Sequence, residues 1–422
     1  MAEKIGLVLE GGGAKGAYEI GACKALEEIG INITAVTGTS VGALNGALVA
    51  QHEIDKAYRL WSNIEPSQVM NIEREKIDKL FRLEINPTDI RYYLRKLREI
   101  ITEGGIDVSP LQKLIKENIN EEKLRKSDID FGMVTVSLTN RRALELFVED
   151  IPKGQIADYL FASANFPLFR SAKIDDKVYL DGGIYDNLPM RMLVERGYKS
   201  LITIQVGGLS RKRKVNTEKL HIIDVKAKEH LGGTLNFSGD QAQRNLKLGY
   251  FDAYRVLKNL AGQHYYVELE HEEDYFLDYF SNLNPEVIIT VAKTLGLERN
   301  MSERRLLFEK ILPKLVEIFK LPENCGYQDI ALTLVEKLAQ EVEVDRFQIY
   351  SFSDLIDAVL KAYSRNRNKK RDNKKEESIV SYFGFLSLFS GNQMLKRITR
   401  DLLNEDVIHS WHGARDKTES SE

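Results

Sequence analysis

The sequence predicts an α/β protein, with a mainly parallel central sheet covered by helices and a long helical region after it. Three observations carry the prediction. Branched apolar runs alternate with helical periodicity in the first fifty residues, as expected of parallel strands joined by right-handed crossover helices. Glycines cluster where those strands end, and beyond about residue 240 strand-like runs become scarce.

Taken in order, Ile5–Leu9 is a continuous branched apolar run, suited to a strand buried on both faces. Ile20, Cys23, Leu26 and Ile29 then recur at helical spacing, and Gly30 is a natural stop. A second strand is expected at 33–37, then a sharp turn around Ser40 and a small-residue helix to Ala50. The charge-rich stretch of about 54–105 reads as a helical insertion, either a lid or plain packing. Strands resume at 133–138 and 143–148, joined by a polar turn that predicts a hairpin. Two more are expected at 178–180, running into Asp181-Gly182-Gly183, and at 201–206. Helical periodicity then dominates 240–260, 285–297, 303–319 and 327–342. The expected division is a first domain over 1–240 and a helical region over 241–422, which contains a basic, solvated linker at about 364–377.

Composition narrows the function. With 60 basic and 63 acidic residues the net charge is −3, which argues against a dedicated nucleic-acid binder. Two cysteines among 422 residues provide no disulfide framework and suit a reducing, cytoplasmic setting. The opening residues read as a first strand rather than a secretory signal, and no run of 18 apolar residues appears.

In Gly38-Thr39-Ser40-Val41-Gly42 the glycines at −2 and +2 remove side chains that would collide as a strand turns sharply into a helix. The serine is thereby exposed at a helix N-terminus, where the dipole favours a developing alkoxide. The bland reading is a helix N-cap. Gly11-Gly12-Gly13-Ala14-Lys15-Gly16 follows the first strand and offers backbone N–H groups for an oxyanion, with Lys15 adding positive charge. The same glycines satisfy a dinucleotide fingerprint, yet the next strand ends in Thr37-Gly38-Thr39-Ser40 rather than in the required acid. None of the seven histidines sits in a glycine-flanked strand-end context. Asp181 does, although an ordinary Asp-Gly turn has the same look.

These three segments, in this order, resemble the signature boxes of the patatin-like phospholipase family. LVLEGGGAKGAYEIG, TGTSVGALNGA, FASANFPLF and YLDGGIYDNLP extend the likeness over the first half of the chain, to about residue 210. The resemblance implies a three-layer α/β/α fold and a serine–aspartate dyad in place of a triad. Ser40 would be the nucleophile and Asp181 its base. The amides of Gly11, Gly12 and Gly13, with Lys15 nearby, would form the oxyanion hole, and Gly16, Gly38, Gly42, Gly182 and Gly183 would complete the motifs. Arginine is commoner than lysine at position 15 in the family. A small residue is usual near Asn165-Phe166-Pro167, so the bulky Phe166 bears on the pocket's shape.

By the same resemblance the substrates would be acyl esters of lipids, cleaved without metal or cofactor. Acyl transfer to an acceptor other than water is the enzymatic alternative. A regulated lipid-binding effector module, gated by the helical C-terminal region, is the alternative of another class. The basic cluster within 361–375 and the aromatic-rich run 379–389 suit either transient contact with an anionic membrane surface or helix packing beside a solvated linker.

Overall fold

The computed structural model describes residues 4–71, 105–170, 172–208 and 210–372. The chain divides into two compact units, Met1–Lys258 and Asn259–Glu422.

The first unit is built on an eight-stranded sheet. Strands β1 (Ile5–Leu9), β2 (Ile33–Thr39), β3 (Asp130–Ser137), β7 (Ser200–Gln205) and β8 (His221–Lys226) are parallel, in the order β3-β2-β1-β7-β8. Strand β4 (Arg142–Phe147) forms the expected antiparallel hairpin with β3. A second hairpin, β5 (Ala172–Ile174) with β6 (Lys177–Asp181), joins β3 antiparallel through β6. Strands β5 and β8 went unread because one is three residues long and the other, HIIDVK, is interrupted by polar residues.

One side of β3 is occupied by β4 at residues 132–137, so β2 and β6 must share the other. Thr39, the last residue of β2, lies opposite Val134, and Asp181, the last of β6, lies opposite Thr135. Adjacent positions on one strand thus hold the tips of two others. That register, set by period-two pairing, is what brings the second and third sequence motifs together.

Helix α1 (Gly16–Ile29) crosses from β1 to β2, and α2 (Val41–Ala50) leaves β2 and lies on the sheet, its Gly46 against Leu9, Val36 and Phe131. Helix α3 (Met190–Glu195) covers the opposite face, where Met192 and Leu193 pack with Val8, Ala35 and Val134. Alternating residues of β1 and β2 therefore feed two cores, which makes three layers. The helix at Gly239–Leu257, α4, packs on α1 in this unit, although periodicity alone had grouped it with the C-terminal region. Their axes come so close that a Cβ on Gly21 would stand 1.9 Å from the Leu246 carbonyl oxygen, and one on Gly249 1.8 Å from that of Tyr18. Of the predicted insertion, residues 54–71 form a helix, Ile54–Ser62, and a single 3₁₀ turn. The remainder, 72–104, lies outside the described residues, and the lid expectation lies there with it.

The second unit has a core of its own, centred on Phe276, Phe280, Val291, Leu307, Leu315 and Leu355. Its helices include Pro285–Thr294, Leu312–Phe319 and Tyr327–Glu341, at the places periodicity predicts. A short parallel pair, Tyr266–Glu268 with Ile349–Ser351, was not foreseen. The last described helix runs Phe352–Asp372, so the first part of the charged run is helical rather than an irregular linker: lysine and arginine are good helix formers and no glycine or proline interrupts them. The aromatic run 379–389 lies outside the described residues. Among the described residues no helix is long and apolar enough to cross a membrane.

Candidate active site

Ser40 sits between β2 and α2 with φ 57° and ψ −127°, outside the regions that residues with a Cβ favour. The glycines around it are required by contact. A Cβ on Gly38 would lie 2.2 Å from the carbonyl oxygen of Gly42, and one on Gly42 2.6 Å from that of Leu9. The Ser40 carbonyl accepts from the N–H groups of Ala43 and Leu44, at 2.9 and 3.2 Å, starting the helix. Its own N–H donates to the Ser163 hydroxyl at 3.1 Å, and that hydroxyl donates to the Val134 carbonyl at 2.7 Å. Ser163 therefore pins the strained turn to β3. A lone serine in FASANF carried no sequence signal for this task.

Ser40 and Asp181 line one cavity, and the Ser40 hydroxyl is near enough to the Asp181 carboxyl to pull its pKa down. Asp181 is buried at 6% exposure, and its Oδ1 accepts the Gly183 N–H at 2.7 Å. Burial pushes its carboxyl up to about 6, against the opposing pull of the Ser40 hydroxyl and the Gly183 N–H. No histidine lines the surrounding cavity among the described residues. Lys15 and Asp181 are the titratable side chains of that lining.

The glycine loop meets this pair from β1. Gly13 has φ +58°, and a Cβ there would strike the Thr234 carbonyl oxygen at 2.2 Å. One sequence expectation needs correction: the Gly11 N–H is already committed, donating to the Asn187 carbonyl at 3.1 Å, and the Asn187 side chain returns a bond to the Gly11 carbonyl at 2.9 Å. Among the described residues the N–H groups of Gly12 and Gly13 have no acceptor. Those two are the glycine donors left for an oxyanion. Lys15 lines the same cavity, with Nζ donating to the Gly207 carbonyl at 3.3 Å, and burial lowers its pKa while Glu10 opposes the shift.

Glu10, fully buried, holds the loop's base. Its carboxylate accepts from the N–H groups of Val206 and Gly207 at 2.7 and 3.1 Å and pairs with Lys212 at 2.8 Å. Glu10 and Asn187, like Ser163, act on backbone conformation at long range, and nothing in their local sequence announces it.

Beside Ser40 and Asp181 lies a cavity of about 450 Å³. Its walls are apolar: Leu44 and Leu48 from α2, Leu111 and Ile115 from the helix Ser109–Asn118, and Trp61 stacked on Phe237 at 6.4 Å. Asn45 fixes the Trp61 ring by accepting its indole N–H at 2.9 Å. A polar pair at one end of an apolar slot suits a substrate with a reactive carbonyl and a long hydrocarbon tail.

The fold and the site define the class of α/β proteins that carry a serine on a strand-to-helix turn beside a glycine-rich loop. Residues 7–194 match the family model for patatin-like phospholipase, and this part of the chain is a patatin-like phospholipase domain. Among curated relatives, lysophospholipase NTE1 of Mycosarcoma maydis is 28% identical over 208 residues, 49% of this chain and 10% of its own length. Human patatin-like phospholipase domain-containing protein 6 is 27% identical over 206 residues, 48% of this chain and 13% of its own. The chain thus spans a small part of the relatives it matches. Among solved structures, VipD from Legionella pneumophila aligns with a TM-score of 0.40 at 16% identity, covering 97% of this chain and 92% of that one. The type III effector ExoU aligns with a TM-score of 0.34 at 14% identity, covering 94% and 74%.

Proposed function

We propose that the protein is a lipid acyl hydrolase that cleaves fatty acyl esters, lysophospholipids being the first class to test, through a Ser40–Asp181 dyad. The observation that carries the reading is that Ser40, on its strained turn, and the buried Asp181 carboxyl line one apolar slot together. Family membership and relatives named as lysophospholipases support the substrate class.

Ser40 Oγ attacks the ester carbonyl while its proton passes to Asp181. The N–H groups of Gly12 and Gly13 hold the oxyanion, and the Lys15 charge adds to the field. Collapse of the tetrahedral intermediate expels the alcohol, which takes the proton from Asp181 and leaves an acyl-serine. A water molecule then gives its proton to Asp181, its oxygen attacks the acyl carbon, and the fatty acid departs as Ser40 recovers its hydrogen. An ordinary aspartate is a weak base at neutral pH, and the apolar surroundings that raise Asp181 to about 6 strengthen it while leaving it ionised at pH 7.

The test is fatty-acid release from lysophosphatidylcholine by the purified full chain and by Ser40→Ala. The variant should lose roughly a thousandfold or more in kcat with its circular dichroism unchanged. Full activity in Ser40→Ala would refute the assignment.

A further inference from the structure

Five large hydrophobic side chains are exposed among the described residues, and two of them, Phe166 and Ile184, at 36% and 49% exposure, also line the cavity. They stand where the slot meets solvent. Phe166 is propped edge-on against Phe169, with ring centroids 5.9 Å apart, so it presents a supported apolar edge.

Beside this rim runs Ser210-Arg211-Lys212-Arg213-Lys214, four cations with no acid among them in a chain whose net charge is −3. Its backbone is tied to the third motif. The Arg211 carbonyl accepts the Asn187 N–H at 2.7 Å, the Arg213 N–H donates to Asp186 Oδ1 at 3.1 Å, and Ser210 lines the cavity itself. Two of the cations have internal work: Lys212 pairs with buried Glu10, and Arg213 lies over the Tyr185 ring with Glu145 at 4.0 Å. Arg211 and Lys214 are exposed, and among the described residues neither has an ion-pair partner.

We propose that this rim is a membrane-docking face, with Phe166 and Ile184 entering an anionic bilayer surface and Arg211 and Lys214 meeting its phosphates. Charge complementarity favours a bilayer, because apolar insertion and phosphate contact are demanded together within one rim. Docked in this way, the slot receives an acyl chain directly from the bilayer and no tail crosses water. The inference rests on the lipid-hydrolase reading, and it adds the surface that delivers the substrate.

The experiment is vesicle flotation with full-length Ser40→Ala protein, on phosphatidylcholine vesicles with and without phosphatidylglycerol. Binding should require the anionic lipid. The added pair Arg211→Glu and Lys214→Glu should weaken it by at least roughly thirtyfold, about fivefold for each cation lost before the new acids add repulsion, with circular dichroism and melting unchanged. Separately, Ile184→Trp should gain a blue-shifted emission component on anionic vesicles that the parent lacks. Absence of anionic binding, equal binding by the charge-reversed protein, or an unshifted tryptophan would each overturn the proposal. Hydrolysis of a monomeric short-chain ester by the unsubstituted protein, with Ser40 in place, reports on the dyad by itself, so activity there without vesicle binding refutes only the docking face.

Discussion

Two buried carboxylates, one in each unit, are handled in opposite ways. Glu336, on the helix Tyr327–Glu341 of the second unit, is 3% exposed, and its Oε1 accepts three successive backbone N–H groups, those of Gln263, His264 and Tyr265, at 2.9, 2.9 and 2.7 Å. Asp181 is also buried, at 6% exposure, but accepts one backbone N–H, that of Gly183. Amides saturate the first carboxylate and close a turn, whereas the second is left short of donors and burial raises its pKa. Other incomplete groups lie in the motif-bearing unit too: Asp186 Oδ2 and Asn165 Oδ1 are buried without a partner among the described residues, and burial raises the Asp186 pKa.

The contrast breaks most visibly at Asp181. Asp181→Asn should lower hydrolysis by roughly a thousandfold or more, while raising stability at neutral pH. The sign follows from the shift: the folded-state carboxyl lies above its ordinary 3.8, at about 6, so folding favours the neutral form. Stability is lost as pH rises from about 4 to 6, reaching a cost of about 3 kcal/mol above that window. Denaturant melts of Asp181→Asn and parent should therefore diverge above pH 6 and converge below pH 4; a less stable Asn variant at pH 7 would contradict this.

Glu336→Ala should act the other way, costing the second unit about 3 kcal/mol by stranding three amides. A denaturant transition that moves by under 1 kcal/mol would remove Glu336 from the comparison. The pH dependence of kcat/KM sharpens it. Activity should fall about tenfold per unit below a midpoint near pH 6 as Asp181 takes up a proton, and Glu336→Ala should leave the midpoint in place. Ser163→Ala is the mildest test. Losing the clamp on the Ser40 N–H should cost roughly 1 kcal/mol of stability and about tenfold in kcat, with KM little changed, whereas a purely structural hydroxyl would affect melting alone.

What was legible in the sequence follows from the same physics. Gly38, Gly42, Gly13 and Ser40 could be read because backbone contacts at fixed spacing dictate residue type locally. The place of Asp181 at a strand end was legible because an apolar run followed by two glycines is a local pattern. Ser163, Asn187 and Glu10 were not, since each acts on backbone more than 100 residues away and only the folded register shows the partner. The same register turned Gly11 from an expected oxyanion donor into a structural one. Strands β5 and β8 were missed because they are too short or too polar for alternation to show, and the helical start of the charged run because charge by itself does not predict disorder.

The near-contact of α1 and α4 through Gly21 and Gly249 has a consequence for anyone cutting or grafting this protein. Backbones that touch without intervening side chains leave neither position free to drift, and the partnership ties the start of the chain to residues some 230 positions later. A fragment ended at 240 would strip a wall from the crossover that follows the glycine loop, since the division between the two units falls after residue 258.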